Sequence, residues 1–292
     1  MNDQAQSLRK LITARENESA ERLRTTRIVT VTSGKGGVGK SNFSLNFALQ
    51  LQRRGQRVLV FDADIGMANI DVLMGFSAPY NLYHLLKREK TIWEIVQHAD
   101  SGIDFIAGGS GFQDLLELSR EELDYFGDQI GLLTGHYDVI LFDTGAGLSK
   151  ETVKFIAAAQ ETIVVTTPEP TSITDAYALM KMVNSMHHSV VFKLVVNRAA
   201  DTKEGKATAD KIAMVANEFL QLEVPLLGIV MDDANVMRSV KRQVPFALAY
   251  PGSEASQCID MIARHFLNES DRPADANTGI KGFLQRMLRF KI

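Results

Sequence analysis

The sequence predicts an α/β fold, a doubly wound and mostly parallel sheet flanked by helices. Three observations carry that expectation. Short apolar runs rich in β-branched residues recur at Ile28–Val31, Val58–Phe61, Val139–Phe142, Thr162–Thr166, Phe192–Val196 and Val224–Val230, with helical stretches between them, the spacing of right-handed parallel crossovers. The first run feeds a glycine-rich turn that opens into a helical pattern, Phe43, Leu45, Phe47, Ala48, Leu49 and Leu51. Several runs end in carboxylates, at the strand ends where open parallel sheets collect ligands. The 292 residues, 45% hydrophobic and 23% charged, suit one domain with appendages. We read an arm over 1–26, the domain over 27–267, a linker over 268–279 and an amphipathic helix over 280–292.

Composition excludes several classes. A net charge of -3 and a pI near 6.1 give no global basic footprint, which argues against nucleic acid as a partner. The single cysteine, Cys258, rules out an internal disulfide and a Cys-only metal site, and reads as a small buried hydrophobe. No stretch approaches the ~18 apolar residues of a membrane span, and the polar N-terminus lacks a signal-peptide core. The expected location is the cytoplasm.

In the arm, Asp3 and Gln6 can form a capping box, and Ala5, Leu8, Leu11 and Ile12 fall on one helical stripe. A helix of about two turns is marginal alone in water. After the first strand, Gly34-Lys35-Gly36-Gly37-Val38-Gly39-Lys40-Ser41 fits G-x-x-x-x-G-K-[ST], the phosphate-binding loop of nucleotide hydrolases. Glycines let successive N–H groups and a helix N-terminus converge on one anion. Lys40 is expected on the β- and γ-phosphates of ATP, and the Ser41 hydroxyl on Mg²⁺.

Lys35 is a second cation with no obvious packing use. The spelling GKGGVGK[ST] resembles the deviant Walker-A class of ATPases, a SIMIBI-type group of P-loop NTPases that includes the Min division-site proteins, the plasmid-partition ATPases and the flagellar-number regulators of the FlhG kind. The resemblance implies an ATP-bound homodimer in which Lys35 reaches the partner's nucleotide. It also implies that Asn42 joins the nucleotide contacts. Asp3-Gln4-Ala5-Gln6-Ser7-Leu8-Arg9 resembles the D-Q-A-x-x-L-R motif of FlhG proteins. By that resemblance Asp3, Gln4, Ala5, Leu8 and Arg9 dock on a signal-recognition-type GTPase, FlhF, and stimulate it.

The strand Val58–Phe61 ends in Asp62-Ala63-Asp64-Ile65-Gly66-Met67-Ala68-Asn69. Carboxylates there also serve as helix caps. The segment is similar to switch I of the Min-type ATPases, which implies that Asp64 orients the attacking water and Asp62 supports the Mg²⁺ shell. Further on, Trp93 and Ile95 are expected in the core. The turn Ala107-Gly108-Gly109-Ser110-Gly111 lacks a Lys-Ser ending and reads as a turn near the dimer face, and the acidic run Glu117–Asp124 as a solvated helix face.

Tyr137-Asp138-Val139-Ile140-Leu141-Phe142-Asp143 is a Walker-B pattern, with Asp143 holding Mg²⁺ through water. Thr144-Gly145-Ala146-Gly147 follows as a switch II, and its Gly145, where Min proteins usually carry proline, looks more like FlhG. Asn197-Arg198, directly after a strand end, resembles the segment of the family's adenine-reading asparagine, which implies that both residues lie by the nucleotide, although an asparagine there also suits a turn. Pro168-Glu169-Pro170-Thr171-Ser172 feeds a helix, and its equivalent in the family lies near the dimer interface. Asp232 and Asp233 sit where the family places an adenine loop, without the usual spelling. His187 and His188 do not face one another on a helix and do not share a metal.

At the far end, Ile280, Phe283, Leu284, Met287 and Leu288 follow an i, i+3, i+4, i+7, i+8 stripe, with Lys281, Arg286 and Arg289 flanking. A basic amphipathic helix of this kind reads as an anchor on an anionic membrane surface. The same stripe would suit a terminal helix docked on its own domain. The resemblance as a whole implies an FlhG-like, ATP-dependent and peripherally membrane-bound regulator of flagellar number and placement, with basal-body components among its partners. A Min division-site ATPase and a ParA-like partition ATPase are the alternatives.

Overall fold

Strands buried on both faces read as continuous apolar runs, and the runs expected from the sequence become the strands of one sheet. The computed structural model describes residues 26–64, 69–108, 120–159, 161–186, 190–268, 282–283 and 286–287. In order the elements are β1 (Arg27–Ser33), α1 (Lys40–Arg53), β2 (Val58–Ala63), α2 (Ile70–Leu73), α3 (Leu82–Leu86), α4 (Ile92–Ile95), β3 (Gln97–His98), β4 (Asp104–Ile106), α5 (Arg120–Gly131), β5 (Val139–Ala146), α6 (Lys150–Ala158), β6 (Glu161–Thr166), α7 (Pro170–Ser185), β7 (Val191–Ala199), α8 (Thr202–Leu220), β8 (Leu226–Met231), α9 (Ala234–Lys241), α10 (Phe246–Ala249) and α11 (Glu254–Asn268).

The sheet order is β3-β4-β2-β5-β1-β6-β7-β8. All described pairings are parallel except β3 with β4 at one edge. Side chains alternate across the pleat. On one face Val29, Val31, Val60 and Leu141 pack with Phe43 and Phe47 of α1 and Ile259, Ile262 and Phe266 of α11. On the other, Ile28, Phe61, Ile140 and Phe142 meet α3 to α6, and Val164, Leu194 and Val196 meet α7 and α8. The carboxyl ends of β1, β2 and β5 lie side by side, with Asp62 in register with Asp143.

Two expectations need correction. Trp93 is 42% exposed, whereas Ile92 and Ile95 are fully buried. In a four-residue helix the i, i+3 pair takes the inner face, and the intervening position turns about 100° away from it. The antiparallel edge strand β3 carries too few residues to show a period. Helix α11 continues through Asn268, one residue into the stretch read as linker. Residues 1–25, Ile65–Ala68, Gly109–Gly111, His187, His188, Ile280, Leu284 and Leu288 lie outside the described residues, and with them the arm motif Asp3, Gln4, Ala5, Leu8 and Arg9.

Candidate nucleotide site

The loop between β1 and α1 keeps its shape because two glycines have no side chain. A Cβ on Gly34 would stand 2.2 Å from the backbone of Asp175 in α7. Gly39 has φ 88° and caps α1, and a Cβ there would stand 2.4 Å from the Asn197 amide nitrogen. That amide donates to the Val38 carbonyl at 2.8 Å, so Asn197 braces the loop from the end of β7. Arg198 beside it adopts the left-handed region, φ 58°, and its guanidinium lies 3.7 Å from Asp232. Asn42 is half-buried in the first turn of α1, where its carbonyl accepts from Asn46 at 2.7 Å. Asp233 caps α9 through the Asn235 N–H, at 2.8 Å.

Lys40, Ser41 and Asp143 converge. The buried Lys40 Nζ stands 3.1 Å from Asp143 Oδ1 and 3.3 Å from the Ser41 hydroxyl. Ser44, one turn further along α1, donates to the same Asp143 oxygen at 2.7 Å. Asp143 is fully buried, and its Oδ2 has no hydrogen-bond partner among the described residues. An orphaned carboxylate oxygen in the interior is costly. Beside a hydroxyl, it offers the oxygen donors a hard cation takes. The residues present therefore fit Mg²⁺, which Ser41 and Asp143 would hold.

Asp62 and Asp64 extend this acidic end. Asp62 accepts from the backbone N–H of Asn69 at 2.8 Å, of Ile70 at 3.1 Å and of Asp64 at 3.3 Å. It thus ties the start of the switch segment to the start of α2. Burial, with Asp143 adding to it, pushes its pKa up to about 7, while the backbone bonds oppose the rise. Burial also raises the pKa of Asp64, with Lys40 opposing. Asp64 leans on switch II: a Cβ on Gly145 would lie 3.3 Å from its Oδ1 and 3.5 Å from the Thr152 hydroxyl. Thr152 in turn donates to the Gly145 carbonyl at 3.3 Å, and the Gly147 N–H donates to Ser33 at 2.8 Å.

Lys35 points away from the loop. Its ammonium donates to Glu169 at 2.8 Å and to the Thr171 hydroxyl at 3.1 Å. The hydrogen bond from Lys35 holds the Glu169 carboxyl below its ordinary range. Ser44 and Thr152 were not singled out from the sequence, and Glu169 and Thr171 were read only as part of a loop near the dimer interface, not as partners of Lys35. The prolines on either side of Glu169, which stiffen its backbone, were the available signal.

The described part of the C-terminal stripe lies on the domain. Phe283 is 1% exposed and stacks on Phe142 at 4.6 Å and 20°, with Phe155 at 6.2 Å. Met287 is buried in the same cluster. Arg286 Nε donates to the Ala158 carbonyl at 2.8 Å, and burial lowers its pKa. No group of three or more His, Cys, Asp or Glu able to hold a metal occurs among the described residues. No described helix is long and apolar enough to cross a membrane.

Sheet order, loop and convergent acids together define a doubly wound nucleotide-binding protein of the P-loop class. Residues 29–246 match the CobQ/CobB/MinD/ParA nucleotide binding domain. The chain is 38% identical to the flagellum site-determining protein YlxH of Helicobacter pylori, over 99% of each chain. It is 33% identical to the antiactivator FleN of Pseudomonas aeruginosa, over 90% of this chain and 94% of that one. Among solved structures it resembles the septum site-determining protein MinD of Pyrococcus horikoshii, complexed with Mg-ADP, at a TM-score of 0.68 and 23% identity over 84% of this chain and 98% of that one. The chain belongs to the MinD/ParA family, in its FlhG-type branch.

Proposed function

We propose that this chain is a MinD-like ATPase that regulates flagellar number and placement by cycling between a single chain and an ATP-bound dimer on the membrane. The observation that carries the reading is the buried trio of Lys40, Ser41 and Asp143, with one oxygen of Asp143 unpartnered. Support for the flagellar role comes from YlxH and FleN, similar over nearly their whole length.

In this reading Lys40 leaves Asp143 for the β- and γ-phosphates, and the N–H groups of Gly36 to Ser41 cradle them. Mg²⁺, when bound, neutralises charge on the transferred phosphoryl group. Asp64 orients the attacking water from its place against switch II. Lys35 exchanges Glu169 for the nucleotide of a second copy and there stabilises developing negative charge. Asn197 turns from the Val38 carbonyl toward the base edge, beside Arg198.

Phe283 and Met287 cannot face the core and a lipid surface at once. We read their seat on Phe142 and Phe155 as storage of the anchor in the single chain. Two tails set free in a dimer gain avidity on the order of a hundredfold. The arm, through Asp3, Gln4, Ala5, Leu8 and Arg9, is the element that stimulates an FlhF-type GTPase.

Sedimentation with anionic vesicles tests the reading. The full chain is expected to pellet with ATP and to stay in solution with ADP or no nucleotide, and a chain ending before Ile280 to stay in solution throughout. Pelleting that ignores nucleotide would contradict it. Removal of residues 1–20 should leave pelleting intact and abolish GTPase stimulation.

A further inference from the structure

At the end of the sheet opposite the nucleotide loop lies an apolar surface that the proposed cycle does not use. Trp93 is 42% exposed and Leu132 48%. The indole packs edge-on against the exposed ring of His136, with centroids 4.7 Å apart. The Gln129 side chain accepts from the Ile92 N–H at 3.0 Å, which pins α4 to the last turn of α5, three residues before Leu132. Single exposed apolar residues are ordinary; an exposed indole already packed on a second exposed ring is the kind of surface that takes a partner.

The path of the chain indicates which partner. Thr26 is buried, its hydroxyl donating to the Tyr137 carbonyl at 2.8 Å and accepting from the Gly135 N–H at 3.1 Å. Those two residues flank His136. The preceding 25 residues therefore join the domain right beside the Trp93–His136 pair. Ile12 is separated from Thr26 by residues 13–25, a span that reaches about 45 Å when extended.

The same residues supply the complement. Leu8, Leu11 and Ile12 form a stripe too short to hold a helix alone in water, with Arg9 and Lys10 beside it. Asp128, exposed and one helical turn before Leu132, supplies a charge opposite to theirs.

We propose that the Leu8–Leu11–Ile12 stripe of this chain's own N-terminal arm packs on Trp93, Leu132 and His136. Leu8 and Arg9 are then withheld from any outside partner until the arm is displaced, so the base of the domain regulates the arm. The inference goes beyond the ATP cycle and does not depend on it.

Trp93 is the only tryptophan in the chain, so its fluorescence reads the contact without a label. Acrylamide quenching is compared, without added nucleotide, in the full chain, in a chain lacking residues 1–24, and in a full-length L8D/L11D variant. Far-UV circular dichroism confirms that each is folded. The full chain is expected to show a quenching slope at least about twofold shallower than the other two, as follows when a half-exposed ring is covered, and unchanged on dilution. Equal slopes in all three would overturn the proposal. So would a shallow slope that steepens on dilution, because a second copy would then be the cover.

Discussion

Each lysine of the phosphate loop faces an acid of its own chain, Lys40 on Asp143 and Lys35 on Glu169. The first pair is buried and the second half-exposed, so the two differ in strength. A buried pair left without one member costs several kcal/mol, whereas an exposed one contributes little. Lys40 thus needs a replacement charge to move, and Lys35 can exchange partners freely. Asp62 carries the pH dependence. Its folded pKa of about 7 stands above the ordinary 3.8, so the folded chain binds the proton more tightly than the unfolded one. That contribution is complete below pH 3.8 and is lost as the pH rises toward 7, at no more than about 1.4 kcal/mol per pH unit. In thermal melts with EDTA, D62N should lose less stability than the parent between pH 4 and 7. Parallel curves would contradict the assignment.

At the scale of elements, two contacts make separate predictions. Phe155 of α6 helps seat Phe283. F155A should loosen the tail and raise vesicle binding without nucleotide, measured as the pelleted fraction against the parent. At the base of the sheet, Glu161 of β6 receives Arg27 of β1 at 2.6 Å and Lys193 of β7 at 2.8 Å, and Arg27 lies 3.5 Å over the Phe266 ring of α11. E161A leaves two cations beside one another away from water. It should lower unfolding free energy by about 3–5 kcal/mol in urea titrations while leaving ATP affinity unchanged. These elements also show where sequence stops speaking. The long β-branched runs were legible because their period repeats. Trp93 was misplaced because α4 is too short for a stripe. Phe283 and Met287 form a stripe that suits lipid and protein core equally, and only the stack on Phe142 distinguishes them in this structure. The pairing of Lys35 with Glu169 was hidden because the two residues lie far apart in the chain.

For the whole molecule, the parallel order brings β1, β2 and β5 together, and with them the loop, the Asp62–Asp64 segment and Asp143. Motif and strand pattern made this much readable in advance, because both are local in sequence. The coupling between nucleotide, second copy and tail is not local, and it is the central claim. Sedimentation velocity of the full chain with Mg²⁺ and a non-hydrolysable ATP mimic tests it most directly. The account predicts twice the 32.3 kDa chain mass with the mimic, a single chain with ADP, and a single chain for K35A in either. A parent chain that stays single with the mimic bound would contradict it.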